Sequence, residues 1–433
     1  MPTLHVANGR VLHPDHSVSE ADVLIDQSTG TIETVGDLAE IDADADETLD
    51  AEGCLVIPGL VNAHGHAAMT LLRGYADDKP LDTWLQEDVW PVEAELTAED
   101  IRVGTELAAV EMIRTGTVGF ADMYFEEPHV AGVVEESGLR AVLGHGFVSV
   151  GKAEEQARAD MAQSVNFAEQ YAKVGGDRIS TAVMPHSLTT VNESLLREAV
   201  ERAREAGVPV HVHANETSDE VDPIVAEREV RPLAYAESVG LLENGDFLAH
   251  CVHVDDEEID RLAASDAAVV HCPASNAKLA SGIAPVAEML DAGVTVGLGT
   301  DGAASNNDLD MFDEIRDAAM LGKLGADDAA AVPASAAVRM ATEGSAAALG
   351  MDSGRIEGGA NADLAVVDLD SAHLTPQHDL VSHLAYAASG QDVRHTVCDG
   401  QVLMADREVL TLDAQAVRER AETQAAELVA RVA

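Results

Sequence analysis

Eight short apolar segments alternate with amphipathic ones along the middle of the chain, and this repetition limits the possible folds more than any other feature. The predicted strands are residues 55–64, 117–125, 140–148, 179–187, 208–216, 246–252, 267–275 and 294–302. Segments between them have helical patterns, as in 193–207 and 285–293. This alternation predicts an α/β protein whose strands close into a (β/α)8 TIM barrel. An open, doubly wound sheet is the alternative, but no Gly-rich dinucleotide fingerprint follows any of these strands.

The two ends of the chain have a different residue pattern from the middle. Residues 1–57 alternate short β-rich runs with turn residues, and a similar pattern returns after residue 351. We therefore expect residues 1–57 and 351–433 to build one small composite β-sandwich domain beside a barrel of residues 58–350. Residues 414–433 consist largely of helix formers and predict an exposed closing helix.

Acidic residues outnumber basic ones throughout the sequence. The 433 residues include 78 Asp and Glu but only 26 Lys and Arg, which gives a formal net charge of −52. A surface of this sign repels the phosphates of nucleic acids and anionic membrane headgroups, so we expect neither as a partner. Because the excess is even along the chain, it predicts a surface adapted to a salt-rich cytoplasm of the haloarchaeal kind, where ions screen the repulsion.

The cysteines and the hydropathy pattern predict a cytoplasmic protein. Cys54, Cys251, Cys272 and Cys398 form no CxxC pair and no regular framework, which is typical of reduced thiols. The first residues lack the features of a signal peptide, and no run of about 20 apolar residues predicts a membrane-spanning helix.

Metal-ligand residue types stand at the ends of four of the predicted strands. His64 and His66 end the first strand, His213 lies in the fifth, His250 in the sixth and Asp301 in the eighth. The C-terminal ends of barrel strands meet on one face, and residues two apart on a strand point the same way. An HxH pair alone is weak evidence, since the chain has 17 histidines. Together, however, these imidazoles and the carboxylate predict a zinc site that would also suit iron or another divalent cation.

Glu216 ends the fifth predicted strand, three residues after His213. A carboxylate there would lie beside the ion, where it could pass protons between water and substrate as a general acid/base. The simpler interpretation is a surface carboxylate near a helix start. Asp301 could both bind the ion and accept a proton, and His250 could either bind the ion or orient the attacking water. His211 lies deeper on the strand and is interpreted as a core or supporting residue.

These residues lie in motifs that resemble the amidohydrolase superfamily, and within it the methylthioadenosine/S-adenosylhomocysteine deaminase group. The matching stretches, which extend over nearly the whole chain, include PGLVNAHGHAAMTLLRGYADDKPLDTWL (58–85), HVHANET (211–217), AHCVH (249–253), HCPASNAKLASGIAP (271–285) and GLGTDGAASNN (297–307). The resemblance implies one catalytic zinc and a proton shuttle at Glu216. The implied zinc ligands are His64, His66, His213 and Asp301. His250 is implied to contact the reacting water instead of completing the metal shell.

The resemblance further implies a 6-aminopurine nucleoside as substrate, with Glu93 and His186 in contact with it. Glu93 alone is typical of a solvated carboxylate at a helix start, whereas His186 ends the fourth strand. His145 stands where these deaminases usually carry an arginine, and a histidine lacks the bidentate fork that suits a carboxylate. This departure weakens the case for S-adenosylhomocysteine and leaves methylthioadenosine, deoxyadenosine and adenosine. The expected substrate-facing residues are Trp84, Glu93, His145, His186, Glu216 and Asp301.

Two other functions fit parts of this pattern. In the family that the chain resembles, the same constellation serves deamination or dechlorination of other N-heterocycles, such as guanine, cytosine and s-triazines. A non-catalytic barrel scaffold would be expected to lose its metal ligands, and here they are all present. The expected reaction is therefore hydrolysis of the 6-amino group to an inosine-type product and ammonia. A homo-oligomer is expected from the resemblance alone.

Overall fold

The computed structural model describes residues 2–36, 45–171 and 178–432. Its strands before residue 59 are short, as the turn-rich sequence predicts. In chain order they are β1 (Thr3–Ala7), β2 (Arg10–Leu12), β3 (Val18–Glu20), β4 (Asp22–Asp26), β5 (Thr31–Gly36), β6 (Glu47–Asp50) and β7 (Cys54–Pro58). One sheet has the order β5-β4-β1-β6, in which β1 pairs antiparallel with β4 and parallel with β6.

The middle of the chain contributes parallel strands in two sheets. They are β8 (Leu60–Asn62), β9 (Thr117–Tyr124), β10 (Arg140–Phe147), β11 (Ile179–Thr181), β12 (Met184–Pro185), β13 (His211–Ala214), β14 (Phe247–His250), β15 (Ala268–His271) and β16 (Thr295–Leu298). The first sheet has the order β11-β10-β9-β8, with β12 also paired to β10, and the second has the order β13-β14-β15-β16. Parallel bridges from Val183 to Val210 and from Gly65 to Asp301 join the two sheets at both edges. The last parallel strand is thereby connected back to the first.

Two of the predicted strands are each divided in the structure. Residues 55–64 fall into β7, which ends at Pro58, and β8, which begins at Leu60, because the run is interrupted at Gly59. Gly59 passes so close to β9 that a Cβ atom there would lie 2.4 Å from Val118 Cγ1. Residues 179–187 fall into β11 and β12, which pair with successive parts of β10. The expectation of one continuous strand at each of these places is therefore wrong.

The last strands return to the sheet that the first residues began. They are β17 (Leu364–Asp368), β18 (Val393–Cys398), β19 (Gln401–Ala405) and β20 (Glu408–Val409). The sheet has the order β20-β19-β18-β17-β7-β2-β3, and Val366 of β17 lies opposite Val56 of β7. A separate hydrophobic cluster contains side chains from both chain-end sheets, among them Leu4, Ile25 and Val56.

Helices follow most of the parallel strands. In chain order they are α1 (Leu81–Trp84), α2 (Trp90–Glu93), α3 (Ala98–Arg114), α4 (Glu127–Ser137), α5 (Glu154–Tyr171), α6 (Glu193–Ala206), α7 (Ser218–Arg228), α8 (Pro232–Ser238), α9 (Asp256–Ala263), α10 (Pro273–Lys278), α11 (Val286–Asp291), α12 (Met311–Gly325), α13 (Ala334–Arg339), α14 (Ser345–Ala348), α15 (Leu380–Tyr386) and α16 (Ala414–Val432). Short 3-10 helices occupy Ala67–Leu72, Ala372–Leu374 and Gly390–Asp392, and π-helical turns occupy Leu85–Val89 and Met340–Gly344.

Helix α6 shows how local sequence sets the limits of these elements. The Asn192 side chain accepts a hydrogen bond from the Leu195 N–H at 3.0 Å, which caps the start of the helix. Gly207 ends it with a φ of +71°, a left-handed conformation that glycine adopts without a steric penalty. Between these limits Leu196 and Ala199 are buried, so one face packs on the core.

The closing helix α16 is less exposed than the sequence predicts. Val417, Ala421 and Leu428 are buried, and α16 packs against α3. The Gln424 amide also donates to Asp100 Oδ1 at 2.8 Å. Among the helices of the described residues, α16 included, none combines the length and the apolar character that crossing a bilayer requires.

Candidate active site and metal centre

Hydrogen bonds behind the ring fix the orientation of His64. Its Nδ1 lies 2.7 Å from His211 Nε2, and His211 Nδ1 lies 2.7 Å from the Phe247 carbonyl oxygen. Burial lowers the pKa of His211 well below its usual value, so this imidazole is neutral. Because a carbonyl oxygen only accepts, His211 carries its proton on Nδ1 and accepts from His64 Nδ1. His64 Nε2 is therefore the nitrogen that faces the site.

The structure gathers a group of buried side chains that each offer one ligand atom within 4.8 Å of the others, namely His64, His213, His250 and Asp301. His66 lies outside this group, although its Nε2 is 3.1 Å from Asp301 Oδ1. Imidazole nitrogens with a carboxylate oxygen form a donor set that fits zinc. His64 Nε2 is buried without a hydrogen-bond partner among the described residues, and a cation at this place would satisfy it.

Two serine hydroxyls orient Asp301, which follows β16. Ser275 and Ser305 each donate to its Oδ2 at 2.7 Å. Oδ1 then faces the imidazoles, 3.4 Å from His64 Nε2 and 3.1 Å from His66 Nε2. Burial alone would raise the pKa of Asp301, but the neighbouring His64 and His66 imidazoles hold it well below its usual value. The carboxylate is therefore ionised, as binding of a cation requires.

Glu216 and His250 lie side by side at the ends of β13 and β14. Glu216 Oε2 is 3.7 Å from His250 Nε2, and the Ser281 hydroxyl donates to Glu216 Oε1 at 3.4 Å. On the far side of the ring, His250 Nδ1 is 2.8 Å from Asn276 Oδ1. Burial raises the pKa of Glu216, and the neighbouring His250 opposes that rise. A buried carboxyl beside the ligand group is suited to carrying protons.

Glu93 is held at the same site by a tyrosine at the end of β9. The Tyr124 hydroxyl donates to Glu93 Oε1 at 2.8 Å. Burial raises the pKa of Glu93 to about 7, although the hydrogen bond from Tyr124 acts in the opposite direction. The Tyr124 and His66 ring centroids are 6.1 Å apart. Glu93 is thus a partly buried residue connected to the site, which its sequence context alone does not reveal.

His186, which follows β12, packs directly on the ligand group. Its ring centroid is 4.7 Å from that of His213, and His213 Nδ1 donates to the His186 carbonyl oxygen at 2.6 Å. The His186 Nδ1 lies 3.0 Å from Thr190 Oγ1. Burial lowers the pKa of His186 to about 4, so the ring is neutral near pH 7. The hydrogen bond from His213 Nδ1 to the His186 carbonyl oxygen leaves His213 Nε2 facing the site.

The other two predicted substrate residues are buried and have protein partners of their own. His145 Nδ1 lies 3.0 Å from Glu127 Oε1, and its ring centroid is 5.8 Å from that of Phe125. Trp84 donates its indole N–H to the Ala76 carbonyl oxygen at 3.0 Å. Contact of either residue with a substrate stays a prediction.

Several supporting residues were not predicted from the sequence. They are Tyr124, Ser275, Asn276, Ser305 and Glu220. Ser305 lies in the same motif as Asp301, and Ser275 and Asn276 lie in the matching stretch 271–285, so hydroxyl and amide side chains within the motifs were the available signal. Which of them reach the site depends on contacts between different strand ends, and spacing along the chain does not contain that information.

The chain is similar in sequence to one known protein family and to curated proteins of two haloarchaea. The sequence profile described as "Amidohydrolase family" matches residues 55–403. A protein of Natronomonas pharaonis named 5-methylthioadenosine/S-adenosylhomocysteine deaminase is 64% identical over 431 residues, covering 100% of this chain and 99% of that protein. A protein of Halobacterium salinarum with the same name is 66% identical over 429 residues, covering 99% of both.

A solved structure is similar over almost the whole length. It is an adenosine deaminase from Xanthomonas campestris with bound zinc, which superposes with a TM-score of 0.92 at 36% sequence identity. The match covers 99% of this chain and 98% of the other. The similarity therefore extends over the chain-end sheets as well as the residues of the site.

Proposed function

The chain belongs to the amidohydrolase family and is a hydrolytic deaminase, and we propose that its substrate is a 6-aminopurine nucleoside. The proposed class is that of 5′-methylthioadenosine and S-adenosylhomocysteine, together with 5′-deoxyadenosine and adenosine. The products would be an inosine-type nucleoside and ammonia. The observation that carries this proposal is the buried Glu216 carboxyl, which lies 3.7 Å from His250 of the ligand group. The names of the haloarchaeal relatives support the substrate class.

We propose an architecture in which the site lies at one end of a closed (β/α)8 barrel of residues 58–350. The bridges that join the two parallel sheets at both edges support closure. Residues 1–57 and 351–433 would form the composite β-sandwich domain, and the sheet shared by both chain ends supports that assignment. Catalytic residues of such barrels lie at the C-terminal ends of the strands, where these ligands stand.

We propose zinc as the resident cation. Its ligands would be His64, His66, His213 and Asp301, while His250 faces the reacting water. The nitrogen and oxygen donors support this choice, as does the zinc in the Xanthomonas campestris enzyme. When bound, such an ion supplies the Lewis-acid chemistry by which water attacks at neutral pH.

Glu216 would move the protons of the reaction. A buried carboxyl with a raised pKa exchanges a proton readily near neutral pH. In the proposed sequence Glu216 receives a proton from the attacking water and transfers it to the ring nitrogen beside C6. The second water proton then passes to the amino group, the C6–N bond breaks and ammonia leaves. Asp301 and His250 would orient the water for attack on C6.

Glu93 and His186 would position the nucleoside. Tyr124 binds one carboxylate oxygen of Glu93, which leaves the second oxygen to accept a hydrogen bond from the substrate. Thr190 binds His186 on Nδ1, which leaves Nε2 for the substrate. Trp84 and His145 would complete the surroundings of the substrate.

We also propose a cytoplasmic location, with a small molecule as the main partner of the protein. The cysteines of the described residues are unpaired and buried, as reduced thiols would be. Assembly into a homo-oligomer stays a prediction.

A deamination assay on a substrate panel tests the proposed function. The purified chain, supplied with zinc in molar KCl, should release ammonia from 5′-methylthioadenosine, S-adenosylhomocysteine, 5′-deoxyadenosine or adenosine. Guanine, cytosine and an s-triazine serve as comparison substrates. Glu216→Gln is the matched control, because the amide has the same shape but carries no proton. This variant should keep its metal and lose about 100-fold or more in turnover. Release from guanine alone, or near wild-type turnover in Glu216→Gln, would contradict the proposal.

A further inference from the structure

Glu220 lies next to Glu216 and has no part in the chemistry proposed above. It is the third residue of α7, and its Oε2 accepts a hydrogen bond from the Glu216 backbone N–H at 2.9 Å. Its other carboxylate oxygen, Oε1, is buried and has no hydrogen-bond partner within the described residues. Burying a carboxylate oxygen without a hydrogen-bond partner costs free energy, so we expect a role that offsets this cost.

Ordinary helix capping does not account for this geometry. Thr217 and Glu220 have the spacing of a capping box, in which the glutamate accepts from the N–H of the cap residue and the threonine accepts from the helix. Here the Thr217 side chain makes no capping hydrogen bond. The Glu220 carboxylate instead binds the N–H one residue earlier, that of Glu216. The carboxylate therefore holds the proton shuttle itself rather than the end of the helix.

We propose that Glu220 is a positioning residue that fixes the Glu216 backbone. The inference rests on the proposed deaminase function. Glu216 acts only if its carboxyl reaches both the water and the purine ring. Displacement of that carboxyl by about 1 Å is enough to slow such a reaction strongly, and the hydrogen bond from the Glu216 N–H to Glu220 opposes this displacement.

Three variants test the role of Glu220 in the zinc-loaded enzyme. Glu220→Ala removes the acceptor of the Glu216 N–H and should lower kcat and kcat/KM alike, by about 100-fold. Glu220→Gln keeps an oxygen at this place and should recover at least about tenfold of that loss. Asp219→Asn changes an exposed carboxylate on the same helix and should behave like the wild type. Zinc per chain and the thermal midpoint are measured for each variant.

Hydrogen exchange of the peptide over residues 211–220 adds a readout that needs no substrate. Glu220→Ala should exchange faster there than Glu220→Gln, because only the alanine variant leaves the Glu216 N–H without an acceptor.

The outcomes separate the inference from the function on which it rests. The positioning role is overturned if Glu220→Ala turns over like an active wild type, or if Glu220→Gln is as slow as Glu220→Ala. It is also overturned if turnover falls only in proportion to lost zinc or lost folded protein. A folded, zinc-loaded wild type that releases no ammonia from any nucleoside would instead overturn the proposed function.

Discussion

Buried hydrogen bonds decide which nitrogen each imidazole of the site presents. His64 donates to His211, and His213 donates to the His186 carbonyl oxygen, so the Nε2 atoms of both ligands face inward. His66 is held in the same way by the Met123 carbonyl oxygen, 2.6 Å from its Nδ1. Partners of this kind fix the tautomer before a cation binds, which strengthens binding. His66 and His250 then differ in what lies next to their Nε2 atoms.

The neighbours of His66 and His250 lead to a prediction about the metal shell. His66 Nε2 is 3.1 Å from Asp301 Oδ1, whereas His250 Nε2 lies 3.7 Å from Glu216 Oε2. His66→Ala should therefore weaken zinc binding by at least about 100-fold. His250→Ala should keep the ion and lose turnover. Zinc per chain after dialysis against a chelator distinguishes the two. Retention by His66→Ala with loss from His250→Ala would show that His250 is the ligand.

The sequence predicts the ligand residues of this site better than it predicts the residues that hold them in place. His64, His213 and Asp301 stand at the ends of different predicted strands, and the C-terminal ends of barrel strands meet on one face. Tyr124 and Glu220 act through contacts with residues whose closeness depends on how neighbouring strands and helices pack. Spacing along the chain does not contain those distances, so the supports became visible only in the folded structure.

Asp308 should make the stability of the protein depend on pH. Burial raises its pKa to about 6, above that of the unfolded chain, and its Oδ1 accepts from the Asp310 N–H at 3.0 Å. Ionisation of this carboxyl therefore opposes folding. The contribution of Asp308 to the free energy of unfolding is most favourable below the pKa that the carboxyl has in the unfolded chain. This contribution is lost as the pH rises through about 6.

Replacing Asp308 by asparagine should remove this dependence while keeping an acceptor for Asp310. Relative to the wild type, Asp308→Asn should gain about 1–3 kcal/mol of unfolding free energy between pH 4 and pH 7. Denaturant unfolding at constant KCl measures the difference. Asp291→Asn changes an exposed carboxylate and serves as the control. A difference between Asp308→Asn and wild type that stays constant with pH would contradict the prediction.

The hydrophobic periodicity of the sequence predicts the extent of a helix or strand better than it predicts where an apolar run is divided between two strands. The helical pattern of residues 193–207 corresponds to α6 almost residue for residue, because both ends carry capping residues. The apolar run 55–64 predicts one strand, yet the structure divides it at Gly59 between two sheets. Hydrophobicity reports burial and does not report which sheet buries a residue, so the division depends on tertiary packing.

The close approach of Gly59 to β9 gives a prediction about this division. A Cβ at Gly59 would lie 2.4 Å from Val118 Cγ1, so Gly59→Ala should lower the unfolding free energy by about 1–3 kcal/mol through overpacking. Val118→Ala removes the clashing methyl groups but leaves a cavity. The double variant should therefore lose less stability than the sum of the two single losses. Unfolding midpoints of all four proteins measure this coupling, and strict additivity would contradict it.

The two chain ends and the parallel sheets are held together by buried charge. Arg140, at the start of β10, donates from Nε to Asp363 at 2.9 Å and from Nη2 to Asp399 at 2.7 Å. Asp363 precedes β17 and Asp399 follows β18, so one guanidinium joins the last strands to the parallel sheet. Since β7 lies in the same sheet as β17, this contact joins the parallel sheet to the sheet that both ends of the chain share.

The net charge of −52 leads to a prediction about stability. Most of the residues that carry the chemistry are buried, among them His64, His213, Glu216 and Asp301. Most of the acidic excess lies outside the site, where like charges repel one another in dilute buffer. Molar salt shortens the screening length to about 3 Å and should remove most of that repulsion. The thermal unfolding midpoint should therefore rise between 0.1 M and molar KCl, by about 4 °C or more.

The control for this prediction separates screening from a general strengthening of apolar burial. Sucrose at equal osmolality is excluded from protein surfaces but does not screen charge, so it should raise the midpoint less than KCl does. An equal rise in sucrose would assign the effect to exclusion instead of charge, and an unchanged midpoint in KCl would contradict the prediction. Because turnover needs the folded site, ammonia release at a temperature between the low-salt and high-salt midpoints should appear only in KCl.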